Sequence, residues 1–306
     1  MSENMLGIST SWLSNRTKSG NELLQELLSL GADAIELEYR ITPDLFSELR
    51  PLLKKEKLAV LSVHNFFPVP DILGRGSGDT FFITSDKDKE RGLAVEYTLR
   101  TIQNASEVGA KVAILHLGNI PLKANLDRLY ELHDEGKLST DEATSLKEKL
   151  KDERRKKTQK YFDRVLLSLD KLVPLAEKLG VILGIENRYH YHEIPSCEEI
   201  GIILEEFEGA PIAYWHDVGH ACNLELVGFA SQKDLLDNYA SKMVGIHLHD
   251  IKGREDHFAP GTGDMDFSSI KPYLKEETIK VIEVHPKVSR RELLEGIRFL
   301  RELSIS

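Results

Sequence analysis

The sequence predicts an α/β protein, a single (β/α)8 barrel over residues 1–306 with a long helical insertion after strand 4, at residues 119–161. Three observations predict it. Eight short apolar runs alternate with helical patterns, which is the strand count of such a barrel. Runs such as VAILHL and VILGIE are apolar almost throughout, as suits strands covered on both faces. Metal-capable side chains stand at or just beyond the C-terminal ends of several runs, where a barrel of parallel strands keeps its chemistry.

In order, the expected strands are Leu6 to Ser9, Ala34 to Leu37, Ala59 to Val63, Val112 to Leu115, Val181 to Ile185, Ile212 to Trp215, Met243 to Leu248 and Ile279 to Val284. Between them, NELLQELLSLGA carries apolar residues at helical spacing and closes on Gly31. EYTLRTIQNASEVGA closes in the same way on Gly109, and LDKLVPLAEKLGV on Gly180, each a position for a helix C-cap. Pro43 and Ser289 stand where helices are expected to start. The exception to this rhythm is the stretch from Pro121 to about Tyr161. There, Ser139 followed by Glu142 predicts a capping box that opens a very long charged helix. Its DERRKK run is a candidate anion patch, against which acidic and basic residues interleave as on a solvated face. A connection this long at the catalytic end suggests a lid or an arm for a homodimer.

The length is ordinary for one barrel with an insertion. A content of 41% hydrophobic and 29% charged residues excludes disorder as the default. A formal net charge of −10 repels polyphosphates at long range and weighs against nucleic acid as the partner, although a metal cluster would add local positive charge that the sum omits. Two cysteines, Cys197 and Cys222, allow neither a disulfide framework nor a paired-cysteine zinc site, and they fit a reducing cytoplasm. The N-terminus lacks a leader pattern and no run approaches about 18 apolar residues, so a cytoplasmic protein without a membrane span is expected.

The chemistry-bearing residues follow from burial. An ionised carboxylate at the end of a buried strand, such as Glu186 after VILGI, is costly unless it is paired or bound to a metal. Arg188 is the alternative partner. Glu283 ends KVIE in the same manner, and two such carboxylates fit either a divalent-metal site or an acid/base pair. Asp217 and His220 lie three apart in YWHDVGHA, while His216 has the opposite strand parity and is expected in the outer layer. His247 and His249 share parity and both can face the interior. His64 and His116 follow strands, and the stretch GREDHFAPGTGDMDF adds Arg254 and His257 beside a turn that matches no phosphate loop. His133, His190, His192 and His285 receive no direct role, with His285 the first to be promoted.

With these residues the chain resembles the xylose-isomerase-like TIM-barrel superfamily, in particular its sugar-phosphate isomerase and epimerase group, which also contains the endonuclease IV enzymes. The motifs that carry the resemblance are IEN at 185–187, HDVGHA at 216–221, HLHD at 247–250, PGTG at 260–263 and VIEV at 281–284. The resemblance implies a divalent metal ion (Mn, Co, Mg or Zn) held by Glu186, Asp217, His249 and Glu283. It implies that Glu186 and Glu283 are catalytic, removing and returning a proton beside a carbonyl through an enediolate that the metal stabilises. His64, His116, Arg188, His220, His247, Arg254 and His257 are then expected to bind a small sugar-like substrate.

The same resemblance implies an alternative, a zinc phosphodiesterase like endonuclease IV. That reading uses His64, His116, Glu186, Asp217, His220, His247, His257 and Glu283, with Glu255 standing where an aspartate is expected. STSWLSNR and LEYRITPD do not resemble the DNA-inserting loops of those nucleases. A non-catalytic sugar- or metal-binding barrel is a third possibility, and it requires both strand-end glutamates to be structural.

Overall fold

A computed structural model describes residues 5–305. Eight parallel strands close into a barrel: β1 (Leu6–Ser9), β2 (Ala34–Leu37), β3 (Ala59–His64), β4 (Val112–Leu115), β5 (Ile182–Glu186), β6 (Ile212–Asp217), β7 (Met243–Leu248) and β10 (Ile279–Ile282), the last pairing with both β7 and β1. Between β7 and β10 the chain folds a two-stranded antiparallel hairpin, β8 (Asp250–Lys252) and β9 (Glu255–Phe258). The helices are α1 (Gly20–Ser29), α2 (Pro43–Glu56), α3 (Asp88–Glu107), α4 (Leu126–Asp134), α5 (Asp141–Leu179), α6 (Cys197–Glu206), α7 (Val218–Leu226), α8 (Gln232–Tyr239), α9 (Phe267–Ile270) and α10 (Arg290–Glu302). Among the described residues, no helix is long and apolar enough to cross a membrane.

The expected strands all form, with shifts of one or two residues at their ends. Two matter for the site: β6 extends through His216 to Asp217, and β10 stops at Ile282, leaving Glu283 just past the ladder. Gly31, Gly109 and Gly180 end their helices at φ of 75°, 75° and 67°, the left-handed conformation a glycine adopts without a Cβ penalty. Thr42 caps α2 ahead of Pro43, and Ser289 forms a reciprocal capping box with Glu292. The expected box at Ser139 does not form. Thr140 is the cap instead, its side chain accepting from the Ala143 amide.

The insertion is a helical hairpin whose second arm, the 39-residue α5, continues past residue 161 as a barrel helix. Its own small core joins Leu129, Tyr130 and Leu132 to Ala143, Leu150 and Val227. Tyr191 stacks on Phe229 beside it, with ring centroids 3.6 Å apart. The DERRKK run is no free anion patch. Arg154 is buried and bidentate on Glu199 at 2.8 and 2.9 Å, Arg155 and Lys156 pair with Asp152, and Lys157 pairs with Glu153.

Inside the barrel, strand parity sorts residues by height. Ala34, Val112, Ile114, Ile182, Trp215, Ile279 and Val281 pack together as one inner cluster. Two residues further along their strands come Glu36, His116, Asp217 and Glu283, on the same inward face. Trp215 fills the lower space because residue 245 is glycine, where a Cβ would sit 2.1 Å from its indole; at Gly184 a Cβ would come within 2.9 Å of Val112.

Candidate metal centre

Four carboxylates from four different strands or strand ends converge on one imidazole. His247 directs Nδ1 at Glu186 Oε1 (2.7 Å), Glu283 Oε2 (3.1 Å) and Asp217 Oδ2 (3.5 Å), while its Nε2 lies 3.0 Å from Glu36 Oε2. All five side chains are buried. Burial alone would lower the pKa of His247, but the charges of Glu283 and Glu36 outweigh it and hold the ring well above its ordinary value. Burial would likewise raise Glu186, whose bonds to His116, His247 and His64 bring it well below the usual carboxylate range.

Glu186 serves two sides. Its Oε1 meets His247, whereas Oε2 meets His116 Nε2 at 2.9 Å, Arg188 at 3.1 Å and His64 Nε2 at 3.8 Å. Asp79, on the loop between β3 and α3, accepts from the other nitrogen of His116 at 3.0 Å and lies 3.5 Å from Arg188. Burial and Arg188 work against protonation of His116, yet Asp79 and Glu186 push its pKa up to about 9. The loop lies directly on the imidazoles because residue 78 is glycine, where a Cβ would come within 2.8 Å of the His116 ring.

Asp217 has its own second side. Its Oδ1 accepts the His220 amide at 2.8 Å, with His249 Nε2 at 3.1 Å from both oxygens. His257 stacks on His249 at 4.1 Å, sets Nε2 3.5 Å from Glu283 and Nδ1 2.9 Å from Asp256. His285 tilts over His257 at 5.1 Å, and burial lowers its pKa to about 4.

These residues suit a cation. Potential donor atoms fall into sets within 4.8 Å of one another, among them His64, His116 and Glu186; Glu186, Asp217, His247 and Glu283; and Asp217, His220 and His257. Glu186 and Asp217 each belong to two sets. Four buried carboxylates around one imidazole leave an excess of negative charge that a divalent ion would neutralise, and mixed imidazole and carboxylate donors suit zinc, cobalt or manganese. Three imidazoles that face the carboxylates through one nitrogen are held at the other, His64 by the Asn65 carbonyl, His116 by Asp79 and His247 by Glu36, whereas His220 meets the Asn187 carbonyl at 3.0 Å and Asp217 at 3.7 Å through the same Nδ1.

The structure thus gathers His64, His116, Glu186, Arg188, Asp217, His220, His247, His249, His257 and Glu283 at the barrel mouth. His216 lies outside it, against Tyr214 and Gln232, as its parity predicts. Two of the expected residues also meet other partners. His249 Nδ1 accepts the His257 amide at 3.0 Å, which turns a neutral ring's proton toward Asp217, so the ring stands behind that carboxylate. Arg254 does not reach the carboxylates. It pairs with Asp134 at the end of α4 at 2.9 Å and covers the Tyr130 ring, on the rim of a cavity of about 370 Å³. The aspartate expected at 255 is supplied one residue later by Asp256, while Glu255 turns outward to Lys287.

Sequence reasoning missed Glu36 and Asp79. Inward parity two residues after Ala34 could have found Glu36; nothing local marks Asp79, which is brought in by a loop.

The sequence profile of the xylose isomerase-like TIM barrel family matches residues 24–303. Over 195 residues the chain is 23% identical to the uncharacterized protein MJ1311 of Methanocaldococcus jannaschii, covering 63% of this chain and 56% of that protein's length. Among solved structures it is similar to a 3-keto-D-glucoside 4-epimerase from E. coli (14% identity, 97% and 99% of the two chains, TM-score 0.69). It is similar also to a D-tagatose 3-epimerase-like protein (20%, 99% and 98%, TM-score 0.65). A third is the TTHB071 protein of Thermus thermophilus, soaked with ZnCl2 (22%, 98% of each chain, TM-score 0.60). At these identities the solved structures establish the fold, and with the profile spanning most of the chain, this protein belongs to the xylose isomerase-like TIM barrel family.

Proposed function

We propose that the chain is a divalent-metal-dependent isomerase of a small ketose, sugar phosphate or related hydroxy-carbonyl compound. The observation that carries the reading is Glu283: Oε2 is held by His247 and His257, while Oε1 has no hydrogen-bond partner among the described residues and the side chain keeps 7% of its surface exposed. It is the carboxylate oxygen left free to take a proton.

The metal ligands we assign are Glu186, Asp217, His247 and Glu283, with His247 in place of His249 because its Nδ1 points among the three carboxylates. A divalent ion there would polarise a carbonyl oxygen and acidify the adjacent C–H. Glu283 Oε1 is placed to remove that proton and return it to the neighbouring carbon, while the proton of the adjacent hydroxyl passes to the former carbonyl oxygen. His257 beside Glu283 and His116 beside Arg188 are placed to bind the substrate's hydroxyls. Glu186 has both oxygens engaged, so a one-base transfer between adjacent carbons fits better than epimerisation by two opposed bases. Similarity to sugar epimerases supports the substrate class.

A second reading, phosphoester hydrolysis, is favoured by one feature: Glu186 and Asp217 each turn separate oxygens or faces to two donor sets, as carboxylates bridging closely spaced ions do. Incubating metal-reconstituted protein with ketoses in D2O tests the proposal. Deuterium at the carbon beside the carbonyl, abolished by Glu283→Gln, is expected. No exchange with any sugar, together with two or three bound zinc ions and cleavage of abasic-site DNA or another phosphodiester, overturns it.

A further inference from the structure

Glu36 belongs to none of the donor sets found among the described residues, yet its carboxylate is wholly enclosed by the barrel. It is fully buried on β2; Oε2 accepts from Ser62 Oγ at 2.7 Å and faces His247 Nε2 at 3.0 Å, and Oε1 has no hydrogen-bond partner among the described residues. An ionised carboxylate with one oxygen unpaired in such a place is costly unless a charge compensates it. Ser62 alone is a neutral donor and repays little of it. The interaction that compensates is the one with His247.

We propose that Glu36 is a positioning residue for the metal centre. Its charge fixes the ring proton of His247 on Nε2, so that the lone pair of Nδ1 is the one turned toward Glu186, Asp217 and Glu283. The inference rests on the metal reading above and assigns His247 its tautomer and orientation. His64 and His220, at the periphery, are held by neutral backbone carbonyls, and His116 by the loop carboxylate of Asp79. His247, at the point where the carboxylates meet, is held by a full charge on a strand. A carboxylate behind a ligating imidazole raises its donor strength, and removing such a partner typically weakens metal binding about 10–100-fold.

The test compares metal-free wild type, Glu36→Leu, Glu36→Gln and Ser62→Ala by competition for Zn2+ with a chromophoric chelator, and records imidazole 15N shifts of the zinc-loaded proteins. Glu36→Leu is expected to weaken binding about 10–100-fold, and Glu36→Gln, which keeps an acceptor without the charge, by less. Ser62→Ala should change it by less than about threefold, and wild-type His247 should carry its proton on Nε2. Wild-type affinity in both Glu36 variants, a proton on Nδ1, or a larger loss in Ser62→Ala than in Glu36→Gln overturns the inference. If Glu36→Leu does not fold, Glu36→Gln and the wild-type shifts decide. A wild type that binds no divalent ion fails the metal reading itself, which is a distinguishable result.

Discussion

The lower and upper halves of the barrel interior use the same strands and the same two-residue period, yet they are built on opposite terms. Below, Val112, Ile114, Ile182, Trp215 and Val281 fill space with apolar volume, fitted so closely that Gly184 and Gly245 cannot carry side chains. Above, Glu36, Glu186, Asp217, His247 and Glu283 are equally buried but are held by charge. Close packing below fixes the strands, and that rigidity is what allows a costly cluster of like charges to be held in one geometry above.

The comparison can be broken from either end. Glu186→Gln, which strips one charge from the upper layer and leaves one acceptor oxygen where His247 on one side and His116 and Arg188 on the other now share two, should lower turnover by about 10²–10⁴-fold in steady-state assays while the fold persists by circular dichroism. Gly245→Val should instead destabilise the whole barrel by about 3 kcal/mol in denaturant unfolding, since its side chain enters the Trp215 ring. A loss of activity with unchanged stability there would mean that the two halves are less separate than their packing indicates.

His216 sharpens the contrast from the outward face of β6. Buried against Tyr214 and Gln232, it is kept neutral, its pKa lowered to about 4, chiefly by burial. The unfolded chain protonates near 6.5, so this residue's contribution is complete above about pH 6.5 and is lost as the pH falls toward 4. Its size is about 3 kcal/mol, at 1.36 kcal/mol per pH unit. Unfolding free energies measured across that window should fall less steeply in His216→Gln than in wild type. The smallest effect is expected of Asp79→Asn, which leaves the lower half untouched and takes the charge from behind His116; it should lower activity by about 10-fold in steady-state assays.

The barrel was legible because its signals are local and repeated: apolar strands, glycine caps and parity. Glu186, Asp217 and Glu283 were legible for the same reason, each being a charge at the end of an apolar run. What was not legible depends on contacts distant in sequence. The choice between His247 and His249 turns on an amide eight residues away reaching Nδ1 of His249. Nothing local in the sequence pairs Arg254 with Asp134 of α4, 120 residues earlier in the chain. Asp256 and Glu255 exchange roles because the β8–β9 hairpin, not the strand period, decides which of them faces inward.

The helical insertion joins parts of the mouth that the barrel leaves separate. Asp134 at the end of α4 grips the β8–β9 hairpin through Arg254, Tyr130 meets His190 after β5 at 3.0 Å, and Asn223 of α7 bonds both Tyr130 and the Tyr189 carbonyl. Three loops that would otherwise fluctuate independently are thereby tied to one brace. Cutting the Asp134–Arg254 pair is therefore expected to loosen all three loops together, read as a joint rise in their amide hydrogen exchange, although the hairpin itself contributes none of the carboxylates.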